Sequence, residues 1–285
     1  MPVNTSSARD IYEASWFQPE AIIPTALIMT LTTIAGRIEG DAPTLNVPYI
    51  GTEAAAQLVR EGDEIPDGGI SVSELHVATR KVAALAAVTN EANYSDDMRT
   101  MLGTGLAGSV VKKADAVFLQ NPAPAANESG VTGLFNLPDV VQAGTIDNAN
   151  TGLDPIVDGI AAIATNGGTP THIIMGYGTW AALLKLKTAQ GLSQISPDVA
   201  NAPVPQLFGL PVILSAQAPA DAIMVTCQTE LISAVGQVSA ASSDQRYFER
   251  DSTLMRSTFR FGYGVIHADR LAKITVTLNY TDTTK

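Results

Sequence analysis

The chain has 285 residues, 46% of them apolar and 16% charged, and it carries a formal net charge of −11. This composition excludes an intrinsically disordered chain, which requires low hydrophobicity and high charge, and the lack of any Lys/Arg block excludes tight nucleic-acid binding through a basic surface. The low charge content fits a chain that buries surface against its own copies, and equally an ordinary Ala- and Gly-rich protein.

Residues 1–43 mix Ser, Thr, Pro and short apolar clusters without a sustained period, which predicts an extended N-terminal arm. Met1 is not followed by the basic segment and apolar core of a signal peptide. The apolar stretch 21–35 is interrupted by Pro24 and by threonines, so it is too short and too polar to span a bilayer. We therefore expect a cytoplasmic protein that is not inserted in a membrane.

A long β-hairpin is predicted after the arm. Residues 44–58 and 70–88 favour strands, and the segment 60–69 between them is dense in turn-forming residues. Each arm would reach about 45 Å at about 3.3 Å per residue, and an isolated two-stranded hairpin is at best marginally stable in water. We therefore expect the hairpin to need a partner surface.

The tip of this hairpin is acidic, and we interpret it as an intersubunit contact or a solvated loop. A calcium site is the alternative, but the tip lacks the alternating ligand spacing and the final Glu of an EF-hand loop. The candidate contact residues are Arg60, Glu61, Asp63, Glu64 and Asp67.

One long helix is predicted over residues 95–120. Ser95 is a good N-cap, and Asp96 and Asp97 place negative charge where the helix dipole favours it. Apolar residues follow at spacings of three and four, and Pro122 ends the pattern. Such a helix is about 39 Å long at 1.5 Å per residue, which suggests a strut.

The string Gly-Thr-Gly-Leu-Ala-Gly at 103–108 matches the dinucleotide-binding pattern G-x-G-x-x-G. That pattern binds a pyrophosphate only where a strand leads into the start of a helix, because the free N–H groups of the helix N-terminus hold the ligand. Here the string falls in the interior of the predicted helix. We interpret it as a thin helix face that lets another backbone approach.

The second half of the chain has α/β character. Residues 121–152 are rich in Pro, Ala, Asn and Gly and are predicted to be an irregular connection. A helix is predicted from Asp154-Pro155 onward, and a second helix at 179–187. Strands are predicted at 172–175, 207–214, 222–226, 252–266 and 272–278.

The reactive residues form no catalytic or metal-binding pattern. Cys227 is the only cysteine, lies in an apolar run and is interpreted as a buried small hydrophobic residue. His76, His172 and His267 have no metal-ligand spacing to one another or to Cys227. Residues 259–264, Phe-Arg-Phe-Gly-Tyr-Gly, hint at an RNA-stacking strand, but without a basic patch a core or interface strand is preferred. We expect no catalytic residue, no cofactor and no metal.

Several segments, in this order along the chain, resemble the major capsid proteins of tailed bacteriophages, which have the Hong Kong ninety-seven fold. The segments are 61–71 (extended-loop tip), 76–82 (the strand returning from it), 90–97 and 118–121 (the two ends of the spine helix), 130–134 (the connection after it), 207–212 (an axial-domain turn) and 256–268 (a late strand of the peripheral domain).

The resemblance implies an α+β fold with four parts. They are an N-terminal arm at 1–43, an extended loop (β-hairpin) at 44–92, a peripheral domain with a long spine helix at 93–151 and 252–285, and an α/β axial domain at 152–251.

The resemblance also implies a structural shell protein, not an enzyme. Such a subunit self-assembles into pentamers and hexamers of an icosahedral phage head that encloses double-stranded DNA, which it contacts non-specifically. The implied location is the virion, after assembly in the host bacterial cytoplasm. A portal is an implied partner, and because the chain begins directly at the arm, a separate scaffolding protein or none is expected.

One departure and two alternatives accompany the resemblance. Residues 51–79 contain no Lys, so the isopeptide cross-link that some members form through the extended loop is not expected here. An encapsulin-like nanocompartment shell shares the architecture and encloses an enzyme instead of DNA. The alternative of another class is a nucleotide-binding enzyme that uses the string at 103–108.

Overall fold

The computed structural model describes residues 25–38, 42–52, 58–62, 64, 68–90, 96–125, 130–147, 152–186, 195, 205–236 and 238–277. Within these ranges the chain forms four helices and thirteen strands. The helices are α1 (Leu27–Leu31), α2 (Asp96–Gln120), α3 (Asp154–Thr165) and α4 (Tyr177–Leu184). The strands are β1 (Thr33–Ile38), β2 (Thr44–Thr52), β3 (Ser71–Ala78), β4 (Arg80–Thr89), β5 (Val141–Asp147), β6 (His172–Met175), β7 (Gln206–Leu207), β8 (Leu210–Leu214), β9 (Ala222–Thr226), β10 (Leu231–Gly236), β11 (Ser239–Tyr247), β12 (Ser252–Val265) and β13 (Ala272–Thr277).

The larger sheet has six strands in the order β5-β13-β9-β6-β8-β7. Its central strand β9 is buried at every position. Because side chains alternate between the two faces of a strand, Ile223 and Val225 enter one hydrophobic core, while Ala222 and Met224 enter another. The first of these cores is completed by α3 and α4, so this sheet is covered on both faces.

The other core lies between the six-stranded sheet, α2 and a second sheet. Phe118 and Leu119 near the end of α2 are fully buried in it. The ring of Phe118 meets that of Tyr263 edge-on, with 4.9 Å between centroids. Burial raises the pKa of the Tyr263 hydroxyl well above its usual range, and that hydroxyl donates a hydrogen bond to the carbonyl oxygen of Thr132. The helix is therefore fixed to the second sheet by aromatic packing.

The second sheet is organised around β12. One edge of β12 pairs with β4, and the other edge pairs with β11 and then with β10, to which β1 adds in parallel. Phe259, Phe261 and Tyr263 share one face of β12 and are buried. The preferred interpretation of 259–264 as a core strand is confirmed, and the buried rings leave no platform for stacking RNA bases.

The predicted long helix is confirmed as α2, while its predicted N-cap Ser95 lies outside the described residues. The string at 103–108 lies in the helix interior, so its N–H groups are used within the helix. A Cβ added at Gly105 or Gly108 would meet no atom within 4 Å. The predicted close approach of another backbone to these two glycines is therefore not made by the described part of this chain.

Among the described residues, no helix is both long and apolar enough to cross a membrane.

Two secondary-structure predictions are wrong. The second arm of the hairpin does not continue to Val88, because β3 ends at Ala78 and β4 leaves the hairpin to pair with β12. The break lies at Thr79. Its N–H donates a hydrogen bond to the carbonyl oxygen of Pro43, and its hydroxyl donates one to the carbonyl oxygen of Ala42. The connection at 121–152 is also not wholly irregular, because it contains β5.

The domain boundaries stay a prediction, and the strand pairing crosses them. β5 and β13, from the predicted peripheral segments, belong to the six-stranded sheet together with β6 and β9 of the predicted axial segment. β10 and β11 of that axial segment pair with β12 instead. The chain passes from one sheet to the other between β4 and β5, between β9 and β10, and between β12 and β13, so a division at these segments follows the strand pairing more closely.

Part of the predicted arm is docked on the body of the same chain. Ile28 and Leu31 of α1 are fully buried in the core beside α2. Ala26, which precedes α1, offers no side-chain cap, and Asp115 of α2 accepts the hydrogen bond of the Leu27 N–H at 2.8 Å. Burial of this carboxyl group outweighs that hydrogen bond and raises the pKa of Asp115 to about 6.

We expect Asp115→Asn to stabilise the subunit at neutral pH. The raised pKa means that the folded state disfavours the carboxylate, so the contribution of Asp115 to wild-type stability is greatest below pH 3.8 and is lost as the pH rises towards 6. The amide oxygen of Asn keeps the bond to Leu27 without that penalty. Urea unfolding from pH 4 to 8 should show a variant advantage that grows up to about pH 6 and then stays constant. An advantage independent of pH would contradict this origin.

Candidate assembly surfaces

The hairpin of β2 and β3 has two chemically different faces. The strands are antiparallel, in register from Thr44 opposite Ala78 to Ile50 opposite Val72. One face, which we call the inner face, carries Leu45, Val47, Tyr49, Leu75 and Val77; the opposite, outer face carries Asn46, Pro48, Ile50, Val72, Glu74 and His76. The inner residues are buried or half-buried and the outer ones are exposed.

The inner face packs on the same chain. Val77 and Ala234 of β10 are fully buried together, and Leu75 lies over Gly264 of β12. Tyr49 meets the ring of His267 edge-on, with 6.2 Å between centroids. The expectation that the hairpin finds all its support outside its own chain is therefore wrong for this face, because β10 and β12 already cover it.

Glycine at two positions of β12 makes this packing possible. A Cβ at Gly262 would overlap the carbonyl oxygen of Ala78 and lie 3.0 Å from the Cα of Thr79, and one at Gly264 would lie 2.9 Å from Leu75. Aromatic residues and glycines alternate along β12, so the aromatic side chains pack in the core on one face. The glycines leave no side chains on the other face, and the hairpin can pack closely there. This alternation is visible in the sequence and could have indicated that another segment packs closely on β12.

The end of the outer face that lies away from Ala78 exposes apolar side chains. Ile50 and Val72, which lie directly opposite each other, are 55% and 70% exposed. Leu58 and Ile70, beyond the paired strands, are also exposed. On the same face His76 Nδ1 and Asn46 Oδ1 are joined by a cross-strand hydrogen bond of 2.7 Å, which fixes the register nearer the body. Covering these exposed apolar side chains with another molecule would gain free energy.

Of the predicted tip contacts, Arg60, Glu61 and Glu64 are exposed. Asp63 and Asp67 lie outside the described residues. Their role in contacts between subunits stays a prediction.

A buried ionic cluster that the sequence did not indicate lies between the two sheets. The Glu230 carboxylate is 2.8 Å from His267 Nδ1 and accepts a 2.7 Å hydrogen bond from Arg270. Arg270 also donates to the carbonyl oxygen of Asn166 at the end of α3. Glu230 lies between β9 and β10, and Arg270 between β12 and β13, so the cluster ties together two of the three chain crossings between the sheets.

The other candidate reactive residues have structural partners. Cys227 is fully buried, as predicted, and its sulfur lies 3.1 Å from the Thr229 hydroxyl. His172 opens β6, and burial lowers its pKa. Its Nδ1 lies 3.0 Å from the Thr171 hydroxyl. Among the described residues no group of three or more His, Cys, Asp or Glu is placed to hold a metal ion.

The model of the phage capsid family matches residues 24–276. The chain belongs to the phage capsid family. The suspected resemblance to phage major capsid proteins is thereby confirmed, and membership makes this chain a structural capsid protein of the virion shell. No curated protein matches the chain.

Solved structures with the same fold support this assignment. A structure from Gordonia phage Cozz is 15% identical, with a TM-score of 0.69 over 88% of this chain and 86% of that one. One from Mycobacterium phage Bobi is 16% identical, with a TM-score of 0.68 over 88% and 90%. The capsid of an empty GTA particle, computed with C5 symmetry, is 15% identical, with a TM-score of 0.69 over 89% and 90%. This capsid protein therefore shares their mixed α+β fold over most of its length.

Proposed function

We propose that this capsid protein assembles into pentamers and hexamers that close an icosahedral head around double-stranded DNA. The observation that carries the proposal is the hairpin of β2 and β3, whose inner face is seated on its own chain while its outer face exposes Ile50 and Val72. A projection that is packed on its own chain on one side and exposes apolar side chains on the other is suited to lie over a neighbouring subunit.

The second sheet supports the proposal with two edge strands. Among the described strands, β4 and β11 each pair only with β12. All residues of β11 before Tyr247 are exposed. A long exposed edge presents unpaired backbone groups to other chains, and proteins normally cover or blunt such edges. Contacts with sister subunits would cover them, and each subunit would bury more than the roughly 1,600 Å² of a standard interface.

In the assembled shell α2 would act as the spine helix, and the segment 152–251 would cluster about the capsomer axis. The arm before α1 would reach another subunit. The acidic charge of the chain fits containment of DNA without tight binding, so we expect non-specific contacts with packaged DNA. A portal, and a separate scaffolding protein or none, would complete the assembly in the host cytoplasm.

Electron microscopy of negatively stained protein, purified alone and with the products of neighbouring genes, tests the proposal. Closed shells support it. A compact monomer that persists at high concentration under both conditions would overturn it.

Deleting residues 62–69 should separate folding from assembly. The deletion removes the tip but none of the paired residues of β2 and β3, so the subunit should keep its circular dichroism spectrum and its unfolding midpoint. The shortened hairpin should fail to reach the neighbouring copy, and closed shells should be lost from sedimentation profiles. Normal particles from the deletion variant would contradict the role of the loop.

The two alternative functions are not equally compatible with the structure. An encapsulin-like shell would use the same surfaces, and the genes adjacent to this one, packaging genes or a cargo enzyme, would distinguish it from a phage head. A nucleotide-binding enzyme is not favoured, because the string at 103–108 lies inside α2 rather than at a helix N-terminus, where free N–H groups could bind a phosphate.

A further inference from the structure

The connection between β7 and β8 is a tight turn with an unusual backbone conformation. Leu207 pairs with Leu210, and the turn between them consists of Phe208 and Gly209. Both turn residues have positive φ angles, 51° for Phe208 and 78° for Gly209, as in a type I′ hairpin turn. Glycine adopts such angles freely. The first turn position normally carries Asn, Asp or Gly, because the Cβ of other residues crowds the backbone in the left-handed region.

Phe208 is the exception among the residues with this backbone conformation. In the described part of the chain, the other non-glycine residues with positive φ are Asp139 and Asp251. The short polar side chain of Asp tolerates the left-handed region because it can hydrogen-bond locally, which a phenyl ring cannot do. Backbone strain persists where a contact or a function requires it, and the turn itself supplies no such reason for Phe208.

The ring of Phe208 is displayed on a rigid support. Phe208 is 49% exposed, whereas Leu207 beside it is buried in the core under α3 and α4. The Val212 N–H donates a 2.8 Å hydrogen bond to the carbonyl oxygen of Pro205, which closes the hairpin below the turn. Because the turn is already ordered, covering the ring with another molecule costs little conformational entropy.

The chain around the turn carries no charged side chain. Residues 199–220 contain no Asp, Glu, Lys or Arg, although these types make up 16% of the whole sequence. The cores of protein–protein interfaces are depleted in charge and enriched in aromatic residues. The segment also offers no cation to a phosphate backbone, so packaged DNA does not fit as the partner of this ring. An uncharged protein surface does.

The turn lies at one corner of the six-stranded sheet. β7 is the last strand in the order of that sheet. β8 runs parallel to β6 and β9 runs antiparallel to it, so the turn lies at the end of the sheet where β9 finishes at Thr226. An edge strand of only two residues presents little backbone for pairing with another chain. Recognition at this corner therefore depends on the side chain of Phe208.

We propose that Phe208 is an aromatic anchor that packs into an apolar site on a second copy of this chain. The inference rests on the proposed function, because a shell gives every subunit sister copies as constant neighbours. The strain of the turn is offset in the assembly, where the covered ring gains free energy, and not in the isolated subunit. This explains why a residue disfavoured by its own turn is present there.

Replacing Phe208 with Asn should separate folding from assembly. Asn is favoured at this turn position, so the isolated Phe208→Asn subunit should unfold at a urea concentration no lower than the wild type does. Loss of the ring should raise the protein concentration at which shells form by about tenfold or more, measured by sedimentation. A lower unfolding midpoint would show that the ring stabilises its own subunit, and unchanged assembly would show that no copy covers it. Either result would overturn the proposal.

Asp139→Asn is the matched control. It introduces the same residue at an exposed position with the same left-handed backbone, at a φ of 61°, and removes no aromatic ring. Its shells should form at the wild-type concentration. An equal loss of assembly in this variant would contradict the proposal, because the effect would then not depend on the ring.

Photo-cross-linking identifies the molecule that covers the ring. A photoreactive benzoyl-phenylalanine in place of Phe208 forms a covalent bond to a nearby C–H group on irradiation. Particles assembled from mixed ¹⁴N- and ¹⁵N-labelled subunits should give peptides that join position 208 to a differently labelled copy. Particles in which position 208 gives no cross-link between copies, or reacts with a different protein instead, would refute the anchor.

A failure of the anchor is distinguishable from a failure of the proposed function. If the wild-type chain forms shells and any of the three tests fails, the inference is wrong and the shell function stands. If the wild-type chain forms no shells under any condition, both are wrong.

Discussion

Replacing Gly262 with Ala is expected to unseat the hairpin and destabilise the subunit by about 3 kcal/mol or more, because overpacking against backbone atoms cannot be relieved by a rotamer change. The new Cβ would overlap the carbonyl oxygen of Ala78 and lie 2.9 Å from its carbonyl carbon. Gly262 also pairs with Ala234 in the middle of the second sheet, so β12 cannot move aside without breaking its pairing with β10. Urea unfolding monitored by tryptophan fluorescence measures the loss.

Two other glycines make this prediction specific. Gly264→Ala meets only the mobile end of Leu75 and should cost less than Gly262→Ala. Gly105→Ala meets no atom within 4 Å on an exposed turn of α2 and should stabilise the subunit by about 0.5–1 kcal/mol, since Ala restricts the unfolded chain more than Gly does. Equal losses at Gly262 and Gly264 would show that the overlap with the Ala78 carbonyl group does not explain the effect, since strand propensity favours Ala over Gly at both positions. In that case the close approach would have no energetic role.

The elements that sequence predicted well are those whose pattern is local. α2 has a long apolar period and a stop at Pro122, and the structure ends it at Gln120. β9 was predicted with its observed bounds, 222–226, because a short apolar run between polar turns leaves little choice of register. In both cases the signal and the structure occupy the same residues.

The predicted second arm of the hairpin failed for a physical reason. Strand-favouring residues continue from β3 into β4 with no glycine or proline between them, and the break is made by the contacts of Thr79 with Ala42 and Pro43. Periodicity reports which residues form strands but not which strand they pair with. The change of pairing partner, from β2 for β3 to β12 for β4, is determined by tertiary contacts.

The assembly surface was predicted only in part. The hairpin and its acidic tip were visible in the sequence, but the division into a seated inner face and a free outer face depends on β10 and β12, which lie more than 150 residues away. Such long-range convergence has no signature in one sequence.

The Glu230 cluster links chain segments that connect the two sheets. Two of the three chain crossings between the sheets contribute residues to it, and Ile266 N–H also donates to the Glu230 carbonyl oxygen. Tyr49 of the hairpin rests against His267. The orientation of the hairpin towards a neighbouring copy is therefore linked to the same carboxylate.

Replacing Glu230 with Ala is expected to destabilise the subunit by about 3–5 kcal/mol, because removing one partner of a buried ion pair leaves the other charge without its counter-ion. The Glu230 side chain is only 8% exposed, and those of Arg270 and His267 are 23% and 29% exposed, so water replaces the lost carboxylate poorly. Urea unfolding gives the change in free energy. Hydrogen exchange should rise most at the ends of β9, β10 and β13.

Glu230→Gln separates charge from hydrogen bonding in this cluster. The amide keeps one acceptor for Arg270 but no negative charge, so its loss of stability should lie between wild type and Glu230→Ala. Glu249→Ala, at an exposed carboxylate in the turn between β11 and β12, should change stability by less than about 0.5 kcal/mol. If Glu230→Ala were as mild as Glu249→Ala, the sheets would be held in place by their cores alone. The orientation of the hairpin would then depend on Gly262 and Gly264, and assembly would tolerate the loss of Glu230.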